Sequence, residues 1–279
     1  MHSYTHITCI GAFLIATLSP MQAQAAESEF DGVKEGEESE DKTTLSAELG
    51  GAYATGNVWF YTINTGVKGG RRWGNNEISA FATANLGRAA ADTNANGRID
   101  DDERPDSFLD LPENARRIDS EVRYDRYLSE TNGLYVLAAA FHDVYSGYSL
   151  RSHAQIGYSR RFIDTGRTKI RTELGFDAAQ EYYTPDVDPR YANVFAARLL
   201  IGIDHQFNDS VSFTDRTEIY ENVQDLEDLR IINAASVTSK LSDVFSMKIT
   251  HALIFDNQPV EGFQKTDQTV TVSLVASLL

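Results

Sequence analysis

The chain has 279 residues, of which 25 are basic and 41 acidic, so its formal net charge is −16. This balance argues against a nucleic-acid partner, because binding to phosphates requires a basic surface. Hydrophobic residues make up 42% of the chain, but no uninterrupted apolar run reaches the roughly 18–20 residues that a membrane-spanning helix needs. The sequence therefore excludes a helical membrane protein.

The first 25 residues have the features of a secretory signal peptide. An apolar run extends from Ile7 to Leu18 and is followed by the small-residue pattern Ala23-Gln24-Ala25, which is typical of a signal peptidase site. The single cysteine, Cys9, lies inside the apolar run. We therefore expect an exported mature chain without disulfide bonds, which a large hydrogen-bonded sheet must hold together instead.

Two acidic segments account for most of the negative charge. Residues 26–43, with eight acidic and two basic side chains and almost no apolar ones, are predicted to be a disordered tail. The segment from Asp92 to Glu113 again contains eight acidic residues against two basic ones. The rest of the chain after residue 43 is therefore close to neutral.

From Thr44 onward the dominant pattern is strict alternation of apolar and polar residues, which predicts strands. In Arg117–Leu128, for example, Ile118 and Val122 alternate with Asp119 and Arg123. Each such segment is longer than an ordinary strand of about 5–6 residues and long enough for a tilted strand to cross a bilayer. Twelve segments share the pattern: 44–54, 58–68, 77–88, 116–128, 134–144, 149–163, 168–182, 192–207, 211–222, 229–241, 244–256 and 265–279. We predict an all-β fold, a 12-stranded antiparallel transmembrane β-barrel over residues 44–279.

The connections between the predicted strands alternate in length. Tight turns follow most even-numbered strands, with the turn after the second strand expected over Gly69–Asn76, and longer connections follow most odd-numbered strands. Short periplasmic turns and longer external loops are typical of outer-membrane barrels. Outer-membrane lipid and the barrel-insertion machinery are the partners that this architecture implies. The strands of a soluble β-sandwich would also alternate between apolar and polar residues. The length of the strands, the polar character of their second face and the alternation of short turns with longer loops disfavour this alternative.

The predicted inward face mixes both signs of charge. We expect either an ion-pair network that fills much of the lumen or a narrow, weakly selective pore for small solutes, because electrostatic selection requires one sign to prevail. The aromatic residues are interpreted as interfacial girdles and lipid contacts. The inward charges are Arg123, Arg151, Arg171, Arg198, Arg216, Asp119, Glu121, Asp125, Glu173, Asp177, Asp204 and Glu218.

An insertion at about residues 89–115 contains the most specific short motif. Residues 92–103 fit the EF-hand loop pattern D-x-[DN]-x-[DN]-G-x5-E, in which oxygen ligands recur at fixed positions around Ca²⁺. Helices do not flank this loop, and only three of its ligands are anionic, so we expect an isolated calcium loop with a dissociation constant of about 10⁻⁴–10⁻³ M. A solvated acidic loop is the alternative. The predicted ligands are the side chains of Asp92, Asn94, Asn96, Asp100 and Glu103 and the carbonyl group of Arg98.

The histidines give little sign of catalysis. Four of them follow the predicted signal segment: His142, His153, His205 and His251. A hydrolase would need a serine within hydrogen-bond reach of a histidine, and none of the four has a serine two places along its strand on the same face. His142, Asp143, Arg151 and His153 form the best polar cluster, which we interpret as packing and rim hydrogen bonding. The sequence therefore predicts no enzyme.

Short motifs give the chain a resemblance to a known family, over roughly Thr44 to the end. They are Gly51–Asn57, then Asp143 with Gly147, Tyr148 and Arg151, then Gly262–Asp267 leading into Val272–Val275. With these motifs the chain resembles the salt-induced outer-membrane proteins, a family of unknown function. The resemblance implies an outer-membrane β-barrel and no established reaction or ligand.

The expected role is structural or that of a passive small-solute pore linked to salt or envelope stress. A calcium-dependent surface binding protein that acts through its extracellular loops is the main alternative, and a membrane-embedded hydrolase is a third.

Overall fold

The structure, a computed structural model, describes residues 41–55, 59–94, 99–185 and 187–278. The predicted signal segment and residues 26–40 of the predicted tail lie outside the described residues. Twelve strands are present, as predicted: β1 (Lys42–Ala54), β2 (Phe60–Trp73), β3 (Asn76–Ala89), β4 (Glu113–Tyr127), β5 (Asn132–Asp143), β6 (Tyr148–Asp164), β7 (Thr168–Tyr183), β8 (Tyr191–Asn208), β9 (Val211–Asn222), β10 (Leu229–Lys240), β11 (Phe245–Asp256) and β12 (Thr266–Ser277).

The strands form one closed antiparallel barrel in which each strand pairs with its neighbours in sequence. Closure is made by β1 and β12, in a register that runs from Ser46 opposite Ser277 to Gly50 opposite Ser273. A closed barrel leaves no strand edge with unpaired backbone groups, which is the condition for a sheet to cross a bilayer. The predicted 12-stranded barrel is confirmed, and the alternative of two packed sheets is wrong.

The barrel is polar inside and apolar outside, the reverse of a water-soluble barrel. Along β4 burial alternates at nearly every residue: Ile118 and Val122 are exposed, whereas Asp119 and Arg123 are buried. Apolar side chains point outward because hydrocarbon is the solvent there, and charged side chains point into the lumen. The described residues contain no helix long and apolar enough to span a membrane.

Exposed aromatic side chains lie near both ends of the outer surface. Trp73, Phe207 and Phe245 lie next to the short turns, and Tyr182 and Tyr191 lie at the opposite end, where their rings stack. Amphipathic and bulky rings at these two levels are typical of the headgroup regions of a bilayer. The predicted aromatic girdles are therefore present.

The two ends of the barrel differ as the connection lengths predict. The short-turn end, as we call it, contains residues 74–75, 128–131, 165–167, 209–210 and 241–244, together with the start of β1 and the end of β12. The loop end contains the connections 55–59, 90–112, 144–147, 184–190, 223–228 and 257–265.

Most strand boundaries differ from the prediction by a few residues, and two of the differences change a predicted segment. The turn expected over Gly69–Asn76 is only residues 74–75, because β2 continues through both glycines to Trp73 and keeps its pairing with β1 and β3 on either side. Glycine lowers strand propensity, but continuous ladders on both edges outweigh that local preference. The barrel also begins at Lys42, inside the segment that we predicted to be tail.

Candidate functional site

The lumen is the candidate site, and its wall divides into two halves. We call the inner face of β4–β9 the charged arc and the inner face of β10–β12 and β1–β3 the hydroxyl arc. At the centre of the charged arc, Glu173 lies between two buried arginines. Its carboxylate accepts from Arg123 Nη2 at 2.8 Å and from Arg198 Nη1 at 2.8 Å. Arg123 also binds Asp125, at 2.7 Å, and Arg198 binds Glu218, at 2.8 Å.

Tyr135 completes this centre. Its hydroxyl oxygen accepts from Arg198 Nη1 at 2.8 Å, and the Arg123 guanidinium carbon lies 4.3 Å from its ring centroid. The hydroxyl lies over Gly157 and Gly175, which face each other on β6 and β7; a Cβ at Gly157 would be only 2.5 Å from the tyrosine oxygen. Glycine is therefore required at these two positions, where the tyrosine side chain lies against the inner face of the barrel wall.

A second group of ion pairs lies nearer the loop end. Glu181 accepts from Arg151 Nε at 3.0 Å and from Arg230 Nη1 at 2.5 Å. Asp177 lies 2.7 Å from His153 Nδ1 and 3.8 Å from Arg151 Nη2. Glu181 is shared between two arginines and Asp177 between a histidine and an arginine, so these residues form a network rather than isolated pairs. The charge-assisted bonds between arginine and carboxylate are stronger than neutral ones.

Several of these contacts cross the lumen. Arg123 with Glu173 joins β4 to β7, Tyr135 with Arg198 joins β5 to β8, and Gln155 donates to the Tyr220 hydroxyl at 3.1 Å to join β6 to β9. Each contact spans three strands, so the side chains must extend into the lumen to meet. We call these residues the ion-pair network. Its presence confirms the ion-pair network that was one of the two alternatives predicted from the mixed inward charges. Apart from Arg230 on β10, its residues lie on the charged arc.

The hydroxyl arc is lined by shorter side chains. Ser236 and Thr250 hydrogen-bond at 2.9 Å, and Asn85 donates to Asn64. Ion pairs also lie on this arc, between Lys248 and Glu48 at 3.3 Å and between Arg230 and Asp256 at 3.2 Å. Towards the short-turn end the arc borders a cavity of about 540 Å³. Its lining combines small side chains with charged ones: Thr44, Ser46, Gly66, Ser79 and Thr83, together with Lys42, Glu48, Lys68, Arg71, Arg72, Glu77 and Lys248.

Sequence reasoning missed some members of the ion-pair network. Glu181 lies four residues after Asp177, as Asp177 does after Glu173, so its parity along β7 could have predicted its inward position. From the sequence, the aromatic residues are assigned to interfacial girdles and lipid contacts. This assignment is wrong for Tyr135 and Tyr220, because both are buried in the lumen. Arg230 is the second residue of β10. Two apolar residues, Ile231 and Ile232, follow it, so the alternation of apolar and polar residues does not assign it to a face.

The predicted calcium loop is only partly described, because Asn96 and Arg98 lie outside the described residues. The Glu103 carboxylate accepts from the backbone and hydroxyl groups of Thr93, both at 2.7 Å, and from the Asp100 backbone at 3.1 Å. The Asn94 amide donates to the Asp100 carboxylate at 3.2 Å. Three predicted ligands therefore meet, and Asp92 begins the same loop.

The described part of the chain contains no group of three or more His, Cys, Asp or Glu side chains arranged to hold a metal ion. The donor set of the loop instead mixes carboxylates with amide oxygens, and such hard oxygen donors suit Ca²⁺. The pKa of Glu103 is lowered from its ordinary 4.5, because the Thr93 hydroxyl and the backbone amides of Asp100, Thr93 and Asn94 donate to its carboxylate. Glu103 is therefore ionised, as a ligand at this position must be.

The loop also contacts the barrel. Ile99, at the apolar position of the motif, is buried, as is Leu111. The Arg104 guanidinium carbon lies 5.6 Å from the Trp59 ring centroid, and Arg88 donates to the Leu109 carbonyl oxygen at 2.6 Å. The ring of Trp59 can thus report on the order of the loop.

The histidines do not gather into one site. His142 Nδ1 lies 2.6 Å from the Ser149 carbonyl oxygen, whereas His153 belongs to the ion-pair network. Asp143 pairs with Arg117 at 3.3 Å, so the predicted cluster at the hairpin of β5 and β6 is divided among three sets of partners. No hydrogen bond in the described residues joins a serine hydroxyl to a histidine ring, and the hydrolase alternative gains no support.

Taken together, the closed sheet, the apolar outer face and the polar lumen define a porin-like transmembrane β-barrel. The chain belongs to the family described as "Protein of unknown function, DUF481", whose model matches residues 47–278. This match supports the resemblance found in the sequence at the level of a family of unknown function. A role in the response to salt stays a prediction.

Two solved structures are similar to this chain. The NanC porin is similar at 14% sequence identity and a TM-score of 0.50, with 84% of this chain and 99% of that chain covered. The KdgM porin in complex with disordered oligogalacturonate gives 8% identity and a TM-score of 0.44, over 85% of this chain and 100% of that chain. At 14% identity the NanC match bears on the fold alone. Curated protein sequences give no match.

Proposed function

We propose that the protein is an outer-membrane barrel that acts as a narrow, passive pore for small solutes. The observation that carries the proposal is the division of the lumen: the ion-pair network crosses the charged arc, while the hydroxyl arc borders an open cavity of about 540 Å³. Solutes would pass along the hydroxyl arc. Because both signs of charge line the wall, the pore would be weakly selective between cations and anions.

Conductance in planar bilayers tests this proposal. The full barrel, refolded in detergent, should give reproducible small steps whose reversal potential in a salt gradient stays near zero. A band shift between unboiled and boiled electrophoresis samples would first establish that the barrel is folded. A folded protein that produces no steps would overturn the pore and favour a purely structural role.

A second proposal concerns the external loop. We propose that residues 92–103 bind Ca²⁺ weakly and that the ion orders the loop, since Asn94, Asp100 and Glu103 already lie within hydrogen-bond contact of one another. In a Trp73→Phe chain, Trp59 is the remaining tryptophan, and its emission should change with millimolar Ca²⁺. Glu103→Gln should abolish that change, and Asp106→Asn, outside the motif, should not. Identical calcium responses in both variants would contradict the proposal.

The calcium loop also fits the alternative function, that of a calcium-dependent surface binding protein. A protein that binds partners through calcium-ordered loops would be silent in bilayers and would still respond to Ca²⁺, whereas a pore would conduct with or without the ion. The proposed link to salt or envelope stress is supported by the family resemblance only. Measuring expression at several salt concentrations tests it, and an unchanged level would remove it.

A further inference from the structure

A row of arginines crosses the charged arc near the short-turn end. Arg161 on β6 lies opposite Arg171 on β7, Arg171 lies opposite Gly202 on β8, and Gly202 lies opposite Arg216 on β9. All three arginines are buried and face the lumen. The backbone positions of three arginines therefore lie at one level of the wall, with a glycine between the second and the third.

The row brings like charges together, and the carboxylates near it are those of Asp164 and Asp204. Like charges directly opposite each other on neighbouring strands are destabilising, and Arg161 and Arg171 are such a pair. A Cβ at Gly202 would lie 3.3 Å from the Cγ and Nε atoms of Arg171, so a larger residue there would make the arginine side chain shift by a few tenths of an ångström. The glycine leaves the space in which the Arg171 side chain lies alongside Arg216.

The row borders a cavity of about 440 Å³ with an excess of positive charge. Its cationic lining consists of Arg161, Arg167, Lys169, Arg171 and Arg216, and its one carboxylate is that of Asp204. Arg161 also pairs with Asp164 at the turn, and Arg171 and Arg216 have further interactions within the chain. These interactions hold the side chains in place, while the cavity itself remains positively charged.

We propose that this row is a binding site for the phosphate group of a small solute or of a lipid. Guanidinium groups present planar pairs of donors that match the oxygens of phosphate, and several of them favour a multiply charged anion over a halide. A cavity of this size accommodates a phosphate with a small substituent. The site lies at the short-turn end and does not depend on whether the barrel conducts.

Calorimetric titration of the full barrel in detergent with inorganic phosphate tests the site. Sodium chloride at the same ionic strength is the reference. We expect saturable phosphate binding that Arg171→Gln and Arg216→Gln each weaken about tenfold, the effect of losing one charge-assisted contact. Arg160→Gln, on the same strand as Arg161 but exposed on the outer face, is the matched control and should bind normally.

Gly202→Ala keeps every charge and shifts Arg171 by a few tenths of an ångström, so it should weaken phosphate binding less than Arg171→Gln does, while the heat-modifiable band is retained. A folded Arg171→Gln variant that binds phosphate as tightly as the unchanged chain would overturn the proposal. The same holds if phosphate binding is absent or if chloride produces the same heat.

A short-chain phospholipid distinguishes the two sources of phosphate. If it binds more tightly than inorganic phosphate and is weakened by the same variants, the site takes a lipid headgroup. If inorganic phosphate binds more tightly, the site takes a solute. Either order supports the site, and insensitivity of both ligands to the variants contradicts it.

Discussion

The charged arc and the hydroxyl arc share one outer surface and differ inside. Both halves present alternating apolar side chains to lipid, from Ile118 on the charged arc to Val272 on the hydroxyl arc. Inside, one half carries long charged groups that meet across the lumen, and the other combines serine, threonine and glycine with ion pairs such as that of Lys248 with Glu48. The residue types of the outer face are therefore determined by contact with lipid. Those of the inner face are determined by the side-chain interactions and the open space inside the lumen.

The largest expected effect comes from breaking the ion-pair network at its centre. Glu173→Gln removes the carboxylate that lies between Arg123 and Arg198, leaving buried guanidinium charges without their partner, which should cost about 3–5 kcal/mol of unfolding free energy. Urea unfolding in lipid vesicles, followed by tryptophan fluorescence, measures this change. Glu48→Gln is the matched variant on the hydroxyl arc and should cost only about 1–3 kcal/mol, because its pair with Lys248 is a single contact.

Equal losses of unfolding free energy in the two variants would show that both arcs depend equally on their charged groups for stability. The arcs would then differ only in the size of their side chains and in the open space beside them.

A smaller effect tests the packing of Tyr135 on the wall. Gly175→Ala would bring a Cβ into the Tyr135 hydroxyl group, so the ring must move and its bond to Arg198 weaken, at a cost of about 1–3 kcal/mol. Gly166→Ala is the control, since a Cβ there meets nothing within 4 Å. Equal unfolding midpoints for the two alanine variants would show that the tyrosine can shift freely.

The smallest effect lies outside both arcs, in the external loop. The pKa of Glu103 is lowered in the folded protein, so its hydrogen bonds stabilise the loop above the ordinary value of 4.5. That stabilisation is lost as the pH falls through the lower pKa of the ordered loop. Trp59 emission in the Trp73→Phe chain should therefore change below about pH 4.5.

The same acid titration of Glu103→Gln should be flat in this range. A transition of equal size in the variant would assign the change to another group, and the loop would not depend on this carboxylate.

The sequence predicts the outer surface of this protein better than its lumen. Alternation predicts all twelve strands, because lipid imposes one simple rule on every outward residue. The inward parity also predicts the charges of Glu173, Arg123 and Arg198. It does not predict which carboxylate meets which arginine, since partners three strands apart depend on the register and closure of the whole barrel. The continuation of β2 through Gly69 and Gly70 likewise depends on ladders that both neighbouring strands supply.

The ion-pair network closes the middle of the charged arc, between the loop end and the cavity of about 440 Å³, whereas open space lies along the hydroxyl arc. Single cysteines in a chain without Cys9 test this arrangement directly: Ser46→Cys borders the open cavity, and Ser159→Cys lies buried in the charged arc. In bilayers, a charged thiol reagent should reduce the conductance of the Ser46→Cys barrel and leave that of Ser159→Cys unchanged. Block of Ser159→Cys alone, or equal block of both, would contradict the claim.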